Sequence, residues 1–111
     1  MEILYSLEKS TLTIFLIGEL DEFSAVNAKQ KLDQIISDNK PQTILFDLSR
    51  LSFMDSTGIG VLIGRYKTAK ALNGKVYVKN ISRSIDKIFL MAGLYDIMPK
   101  ISYKEQKNEI H

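Results

Sequence analysis

The chain has 111 residues, of which 45% are hydrophobic and 25% are charged, the size and composition of one globular domain. It has no cysteine and a single histidine, His111, so disulfide frameworks and thiol chemistry are excluded and a Ser-His-Asp triad or His-rich metal site is disfavoured. The formal net charge of +2 is too small for an electrostatic nucleic-acid footprint, so we expect no direct contact with nucleic acid.

The chain shows no sign of export or of membrane insertion. No apolar run approaches the length of a membrane span, and residues 1–5 lack the features of a signal peptide. No linker or repeat divides the sequence. We therefore expect one cytoplasmic domain over 1–111 that binds no membrane. Its core should span about 3–99, and the polar tail 100–111 should be frayed or weakly helical.

The first part of the chain predicts two strands and a helix. Residues 3–8 and 11–18 alternate or run apolar as strands do, and the short link between them fits a hairpin. Gly18 should end the second strand, and residues 19–22 should form a loop. Ser24 is a good helix N-cap, and apolar residues recur at helical spacing until about 38.

The second part predicts two further strands and two further helices. Residues 43–48 are apolar enough for a central strand covered on both faces. A loop over 49–54 leads to a helix that begins near Asp55. Its expected core stripe is Ile59, Leu62, Ile63, Tyr66 and Ala69. A strand over 75–79 and a helix over 82–92 follow. Residues 97–98 should add a short edge strand or extension.

The order of these elements indicates an α/β fold. Helices that connect strands favour parallel pairing, whereas the opening hairpin is antiparallel. We predict a mixed, mostly parallel sheet of four to five strands flanked by helices.

The segment 53–67 carries the most chemical information, because a hydroxyl-rich turn leads there into a glycine-rich helix start. Helix starts have free N–H groups and tolerate an anion. Ser56 and Thr57 therefore lie where a phosphate could be held. On propensity alone, Asp55 or Ser56 is more simply an N-cap. The two interpretations are compatible, since a capping serine is also an exposed hydroxyl.

Two glycines within this predicted helix need an explanation, because each costs roughly 1 kcal/mol relative to alanine. Gly60 and Gly64 lie one turn apart, on a different face from Ile59 and Ile63. They either permit close packing against a neighbouring element or leave a flat surface that a partner backbone approaches. The sequence leaves both explanations open.

A nucleotide-binding domain or small enzyme is the main alternative from another functional class. Gly58, Gly60 and Gly64 resemble a loosened dinucleotide fingerprint. However, six residues separate Leu48 from Asp55, where the fingerprint needs a tight strand-to-helix turn. The next strand does not end in an acidic residue, and no phosphate-loop motif is present. We therefore expect no cofactor.

The loop over 19–22 carries three acidic side chains. Such a cluster is a metal or acid/base site or, more commonly, a solvated loop before a helix, and we expect no metal. Loops at the carboxyl ends of strands gather at one edge of the sheet, an arrangement that permits Asp21 and Asp55 to converge. Arg65 and Lys67 are expected to be solvated helix residues that could meet an acidic partner.

Three segments together resemble the anti-sigma factor antagonists of the bacterial STAS domain family. They are GELD at 18–21, LSFMDSTGIG at 51–60 with GRYK at 64–67, and MAGL at 91–94. The resemblance spans roughly residues 10–100 and is strongest to the sporulation members, which oppose an anti-sigma-F factor. It also implies a mixed sheet flanked by helices. General stress-response antagonists and signalling scaffolds of the same family are the alternatives.

The resemblance implies a phosphoregulated binding protein and not an enzyme. Such proteins bind an anti-sigma factor that is also a serine kinase, and binding releases the sigma factor. The kinase then phosphorylates the serine of the Asp-Ser motif, here Ser56, which ends the binding. A metal-dependent serine phosphatase reverses the modification.

Two departures from the family pattern concern this expected site. Thr57 stands where a second serine is frequent, which leaves open a minor phosphorylation there. Glu22 and Phe23 stand where the sporulation members have polar histidines, so partner contacts there are expected to differ. The residues expected to bind the partner are Asp21, Asp55, Ser56, Thr57, Gly58, Ile59, Gly60 and Gly64.

Overall fold

Strands and helices alternate along the chain, largely where the apolar periodicity predicts them. A computed structural model describes residues 1–101. Its elements are β1 (Glu2–Glu8), β2 (Thr11–Leu20), α1 (Ala25–Asn39), β3 (Thr43–Asp47), β4 (Leu51–Met54), α2 (Ser56–Ala71), β5 (Lys75–Lys79), α3 (Arg83–Met91) and a 3-10 helix (Leu94–Asp96). Of the tail predicted to fray, residues 102–111 lie outside the described part.

The strands form one mixed sheet with the order β1-β2-β3-β5. β1 is antiparallel to β2, whereas β3 and β5 join in parallel. β4 pairs in parallel with the carboxyl end of β2. The predicted α/β fold with a mostly parallel sheet of four to five strands is therefore confirmed. None of the helices in residues 1–101 is long and apolar enough to span a bilayer.

The core lies on one face of this sheet, against the helices. Strand register puts Ile14 of β2, Phe46 of β3 and Val78 of β5 side by side, and all three are buried in the core. Leu45 points to the other face, next to Tyr77, and belongs to no part of that core. Leu45 and Asp47 on this other face are buried as well, as predicted for a central strand covered on both faces.

The stretch predicted as a loop over 49–54 contains β4, and β2 continues past Gly18 to Leu20. Gly18 has φ +106°, and the pairing register shifts after it, so the chain bulges there and then pairs with β4. Only Leu51 and Met54 of β4 are buried. A four-residue strand with this pattern shows no period-2 alternation, which is why the sequence did not reveal it.

The predicted edge strand at 97–98 is wrong, since these residues follow the 3-10 helix. The extension of the sheet begins just afterwards. Val78 donates its N–H to the carbonyl of Pro99 at 3.0 Å, and Ile101 donates to the carbonyl of Val78 at 2.8 Å. Residues 99–101 thus extend the edge formed by β5.

Helix α2 buries a different set of residues from the predicted stripe. Its buried residues are Gly58, Val61, Leu62, Arg65 and Ala69, whereas Ile59, Ile63 and Tyr66 are only partly buried. The reason is that α2 packs against α1 as well as against the sheet. Because α2 contacts both α1 and the sheet, its buried face is wider than the single apolar stripe predicted from the sequence.

Candidate phosphorylation and partner-binding site

Asp55 connects the start of α2 to the loop before α1. It is the N-cap of α2 in an extended conformation, and its Oδ1 accepts a hydrogen bond from the Gly58 N–H at 2.9 Å. Its Oδ2 accepts from the N–H of Glu22 at 3.1 Å. Of the N-cap candidates, Asp55 is therefore the residue that caps, as its short acceptor side chain favours.

Asp21 and Ser24 hold the loop before α1 in a turn. Asp21 Oδ1 accepts from the N–H groups of Phe23 and Ser24, both at 3.0 Å. The Ser24 hydroxyl donates to the carbonyl of Glu19 at 2.8 Å. Ser24 does occupy the N-cap position of α1, but its side chain caps no helical N–H. The predicted capping bond is wrong because the hydroxyl is used within the loop.

The carboxylates of Asp21 and Asp55 act on the same loop, since they accept from the N–H groups of the neighbouring residues Phe23 and Glu22. The convergence that the topology permitted is therefore present. Their oxygens accept backbone hydrogen bonds, and no group of three or more His, Cys, Asp or Glu that could hold a metal ion occurs among the described residues. The pair organises the loop.

Ser56 and Thr57 are the first two residues of α2, and both are exposed. Asp55 supplies the cap, so the Ser56 hydroxyl is not needed for that purpose. The backbone N–H groups at these positions have no acceptor one turn earlier in the helix. A hydroxyl next to free N–H groups and the positive end of the helix dipole is a favourable place for a phosphoryl group.

The three glycines of α2 serve two purposes. A Cβ on Gly58 would lie 2.2 Å from the carbonyl oxygen of Leu20 and 2.8 Å from Cγ of Met54, so α2 approaches the end of β2 closely at this point. A Cβ on Gly60 or Gly64 would meet nothing within 4 Å. Close packing explains Gly58, whereas Gly60 and Gly64 leave an open surface.

This open surface is one wall of a shallow groove of about 300 Å³ between α1 and α2. The groove is lined by Ala25, Val26 and Lys29 of α1 and by Thr57, Gly60, Val61, Gly64 and Arg65 of α2. Val26 is 66% exposed, and Phe23, in the loop nearby, is 86% exposed. Phe23 lies at a position where partner contacts were expected to differ from those of the sporulation members, whereas Val26 was not predicted as part of the site. The signal of Val26 in the sequence is an apolar side chain outside the buried stripe of α1.

Arg65 is buried, with 5% of its surface exposed, so its expected solvation is wrong. Its Nε lies 2.9 Å from Oδ1 of the half-exposed Asp33 of α1. Neither Nε nor Nη1 has a partner that meets hydrogen-bond geometry within residues 1–101. The side chain lies in the interface between α1 and α2, whereas Lys67 points into solvent as predicted.

The strand before α2 is β4, so a single residue, Asp55, separates strand from helix. The predicted six-residue separation from the preceding strand is therefore wrong. In a dinucleotide fold the N–H groups of this first turn receive the pyrophosphate. Here the Gly58 N–H already donates to the Asp55 carboxylate, so it is not available to a pyrophosphate.

A further buried carboxylate, Asp47, lies at the carboxyl end of β3. It accepts from the Ser49 hydroxyl at 2.7 Å, from the Ser49 N–H at 3.0 Å and from Asn80 Nδ2 at 3.1 Å. Burial raises the pKa of Asp47, but these hydrogen bonds and the charge of Lys79 outweigh it, so the pKa lies below its usual range. Asp47 thereby joins β3 to the segment after β5.

Comparisons with known proteins agree with this fold. A model of the STAS domain matches residues 5–108. An anti-sigma F factor antagonist of Paenibacillus polymyxa is 33% identical over 91 residues, 82% of this chain and 78% of that protein. An anti-sigma-B factor antagonist of Listeria monocytogenes is 31% identical over 85 residues, 77% of this chain and 74% of that protein.

Solved structures of the anti-sigma factor antagonist SpoIIAA, a Bacillus cell fate determinant, are similar along nearly the whole chain. The unphosphorylated form has a TM-score of 0.77 at 29% identity and covers 98% of this chain and 96% of its own. The phosphorylated form has a TM-score of 0.70 at 29% identity and covers 99% and 100%. The chain therefore belongs to the STAS domain family, among its anti-sigma factor antagonists, which confirms the predicted membership.

Proposed function

We propose that this protein is a phosphoregulated anti-sigma factor antagonist. The unphosphorylated form binds an anti-sigma factor that is also a serine kinase, and the sigma factor is released. Phosphorylation of Ser56 ends the binding, and a metal-dependent serine phosphatase restores the hydroxyl. The chain contributes a binding surface without catalysis or a cofactor. It acts in the cytoplasm, where sigma factors meet RNA polymerase, and contacts neither nucleic acid nor membrane.

The observation that carries this proposal is the exposed hydroxyl of Ser56 beside a capping carboxylate. Because Asp55 fixes the first turn, Ser56 is presented to a kinase on a rigid helix start. In the reaction a bond forms between Oγ of Ser56 and the γ-phosphorus of ATP, and the bond from that phosphorus to the bridging oxygen of ADP breaks. The hydroxyl proton leaves to a base on the kinase.

Charge explains how the phosphate would end the binding. It adds about −1.5 to −2 charges to an end of the molecule that already carries Glu19, Asp21, Glu22 and Asp55. A partner that buries this surface would have to desolvate the phosphate, and an uncompensated buried charge costs several kcal/mol. Each 1.4 kcal/mol is about tenfold in affinity, so a loss of about a hundredfold or more follows.

The flat groove next to Ser56 supplies the contact area that the phosphate would interrupt. Gly60 and Gly64 admit a partner backbone, and the exposed Val26 and Phe23 offer apolar anchors beside them. Exposed aromatic side chains surrounded by polar residues are typical of binding surfaces. These features support a protein partner for the surface formed by α1, α2 and the loop between β2 and α1.

The test compares Ser56→Ala with Thr57→Ala, its exposed neighbour, after incubation with the cognate anti-sigma factor kinase and Mg²⁺-ATP. Intact mass should show one added phosphoryl group on the wild type and on Thr57→Ala, and none on Ser56→Ala. Ser56→Ala should still bind the kinase. If Ser56→Ala gains the group as fully as the wild type does, Ser56 is not the main acceptor and the proposal fails.

A general stress-response antagonist is the second candidate, because an anti-sigma-B factor antagonist is almost as similar as an anti-sigma F factor antagonist. Both candidates share the same switch and differ only in the partner. Capture with the immobilised, unphosphorylated chain from a lysate of its own cells, followed by mass spectrometry, separates them by the kinase retained.

A further inference from the structure

A second cleft opens between α1 and α2 at the end remote from Ser56. Its volume is about 770 Å³, within the usual range of small-molecule sites. Lys29, Asp33 and Ile36 of α1 form one wall, and Arg65 and Thr68 of α2 form the other with Leu72, the residue that follows α2. Leu72 lies 16 residues beyond Ser56, or about 24 Å along a helix axis, so the far end of the cleft is remote from Ser56, whereas Lys29 and Arg65 also line the groove beside it.

Arg65 gives this cleft an uncommon electrostatic character. A buried charge is normally paired and fully hydrogen-bonded, because removing it from water costs several kcal/mol. The Nε of Arg65 lies 2.9 Å from Oδ1 of the half-exposed Asp33, but neither Nε nor Nη1, both buried, has a hydrogen-bond partner within residues 1–101. The guanidinium therefore has unused donor capacity, and Arg65 is one of the residues that line the cleft.

The remaining lining defines the chemistry of an occupant. Lys29 and Lys40 add two positive charges to that of Arg65, and Asp33 is the single acidic residue of the lining. Ile36 and Leu72 supply apolar surface, and Leu72 is 70% exposed. A cation buried at one point of the cleft and apolar walls beyond it match a molecule with an anionic head and an apolar body.

We propose that this cleft binds a small organic carboxylate, with the carboxylate on the Arg65 guanidinium and the apolar body against Ile36 and Leu72. Guanidinium groups bind carboxylates through charge-assisted hydrogen bonds. In the absence of the ligand, the Asp33 carboxylate lies beside Nε of the same guanidinium. The ligand therefore competes with Asp33 for Arg65. The proposal does not depend on the function assigned to Ser56.

The experiment is an NMR titration of the ¹⁵N-labelled full chain with hexanoate. Acetate, which has the charge without the body, and 1-hexanol, which has the body without the charge, are the matched probes. Hexanoate should give saturable shifts at the amides of Gln42 and Thr68 and bind at least about tenfold more tightly than either probe. Equal binding of hexanol and hexanoate, or no saturable shift, would overturn the proposal.

Three variants identify the group that binds. Arg65→Met should weaken hexanoate binding about tenfold or more, which corresponds to the loss of a charge-assisted hydrogen bond. Asp33→Asn should strengthen binding, because it removes the competing carboxylate; this variant carries the test if Arg65→Met does not fold. Lys87→Met removes an exposed charge on α3 and should leave the affinity for hexanoate unchanged. Unchanged affinity in Arg65→Met, or weaker binding in Asp33→Asn, would contradict the assignment.

Discussion

Asp55 links the start of α2 to the loop before α1 with one carboxylate, so its replacement should be more costly than that of an ordinary N-cap. Asp55→Ala removes the bonds from Gly58 and Glu22, at 2.9 and 3.1 Å. Loss of an N-cap costs about 1 kcal/mol, and loss of a second net hydrogen bond about 1 kcal/mol more. Urea unfolding followed by circular dichroism should therefore show a fall of about 2 kcal/mol in the free energy of unfolding.

Ser82→Ala is the matched control for that measurement. Ser82 caps α3 through a single, longer hydrogen bond from the Ile85 N–H at 3.4 Å. Its loss should cost less than 1 kcal/mol, near the low end for N-caps, about 0.5 kcal/mol. Equal losses in the two variants would show that the bond to Glu22 contributes nothing to stability.

The glycines of α2 should respond in opposite directions to alanine. Gly58→Ala places a Cβ against the backbone of Leu20, and such overpacking costs about 1–3 kcal/mol. Gly60→Ala and Gly64→Ala meet open space and should gain up to about 1 kcal/mol from helix propensity. Thermal unfolding of the three variants tests this, and a destabilised Gly60→Ala would contradict the open surface described for that position.

At the scale of whole elements, the sequence predicts best where periodicity is long. The three helices and the strands at 11–18, 43–48 and 75–79 were recognisable because many residues contribute to each pattern. β4 was not, since its register depends on Gly18, which bulges β2 and redirects its end toward another strand. Pairing of this kind is set by tertiary structure and leaves no local signal.

The candidate site was predictable in its residues but not in its connections. The Asp-Ser helix start and its glycines follow from composition and spacing alone. The bond between Asp55 and Glu22 joins residues 33 positions apart, so no local rule reveals it. Arg65 was misplaced for a similar reason: α1 covers it, and a long polar side chain in an interface resembles a solvated one in sequence.

The end of β3 should give the fold part of its acid sensitivity, through Asp47. Its pKa is below the usual range in the folded chain, so the ionised carboxylate stabilises the fold. This contribution is complete above the unfolded pKa of about 3.9 and is lost as the pH falls through the folded pKa. Asp47→Asn should therefore lose less stability than the wild type between about pH 5 and about pH 2.

Asn80→Ala provides the complementary measurement for Asp47. It removes one donor to the carboxylate and should bring the folded pKa back toward its usual value. Loss of stability on acidification should then be smaller than in the wild type and end at a higher pH, because its onset is set by the unchanged unfolded pKa. The wild type, Asp47→Asn and Asn80→Ala are compared by their urea unfolding midpoints across the acid range. Identical acid profiles for the wild type and Asp47→Asn would exclude Asp47 as a contributor.

For the molecule as a whole, the layer formed by α1 and α2 separates two kinds of surface. One end holds Ser56 and the flat groove, and the other holds the cationic cleft. Arg65 and Lys29 line both, so the two surfaces share a wall. The fold between them is a continuous core, which favours a switch that changes surface charge over one that rearranges the chain.

Phosphorylation of Ser56 should therefore change affinity without changing the fold. The helix start accommodates negative charge, so the free energy of unfolding should stay within about 0.5 kcal/mol, the range of surface substitutions. Affinity for the kinase should fall about a hundredfold or more, equivalent to about 2.7 kcal/mol. Ser56→Asp should show the same pattern more weakly, because one carboxylate carries less charge than a phosphate.

Calorimetry measures the affinity of each form for the kinase, and hydrogen exchange measures whether the fold changes on phosphorylation. Loss of amide protection in β3 or β5 on phosphorylation would indicate a conformational switch instead, and equal affinity of the two forms would remove the basis for a switch at Ser56.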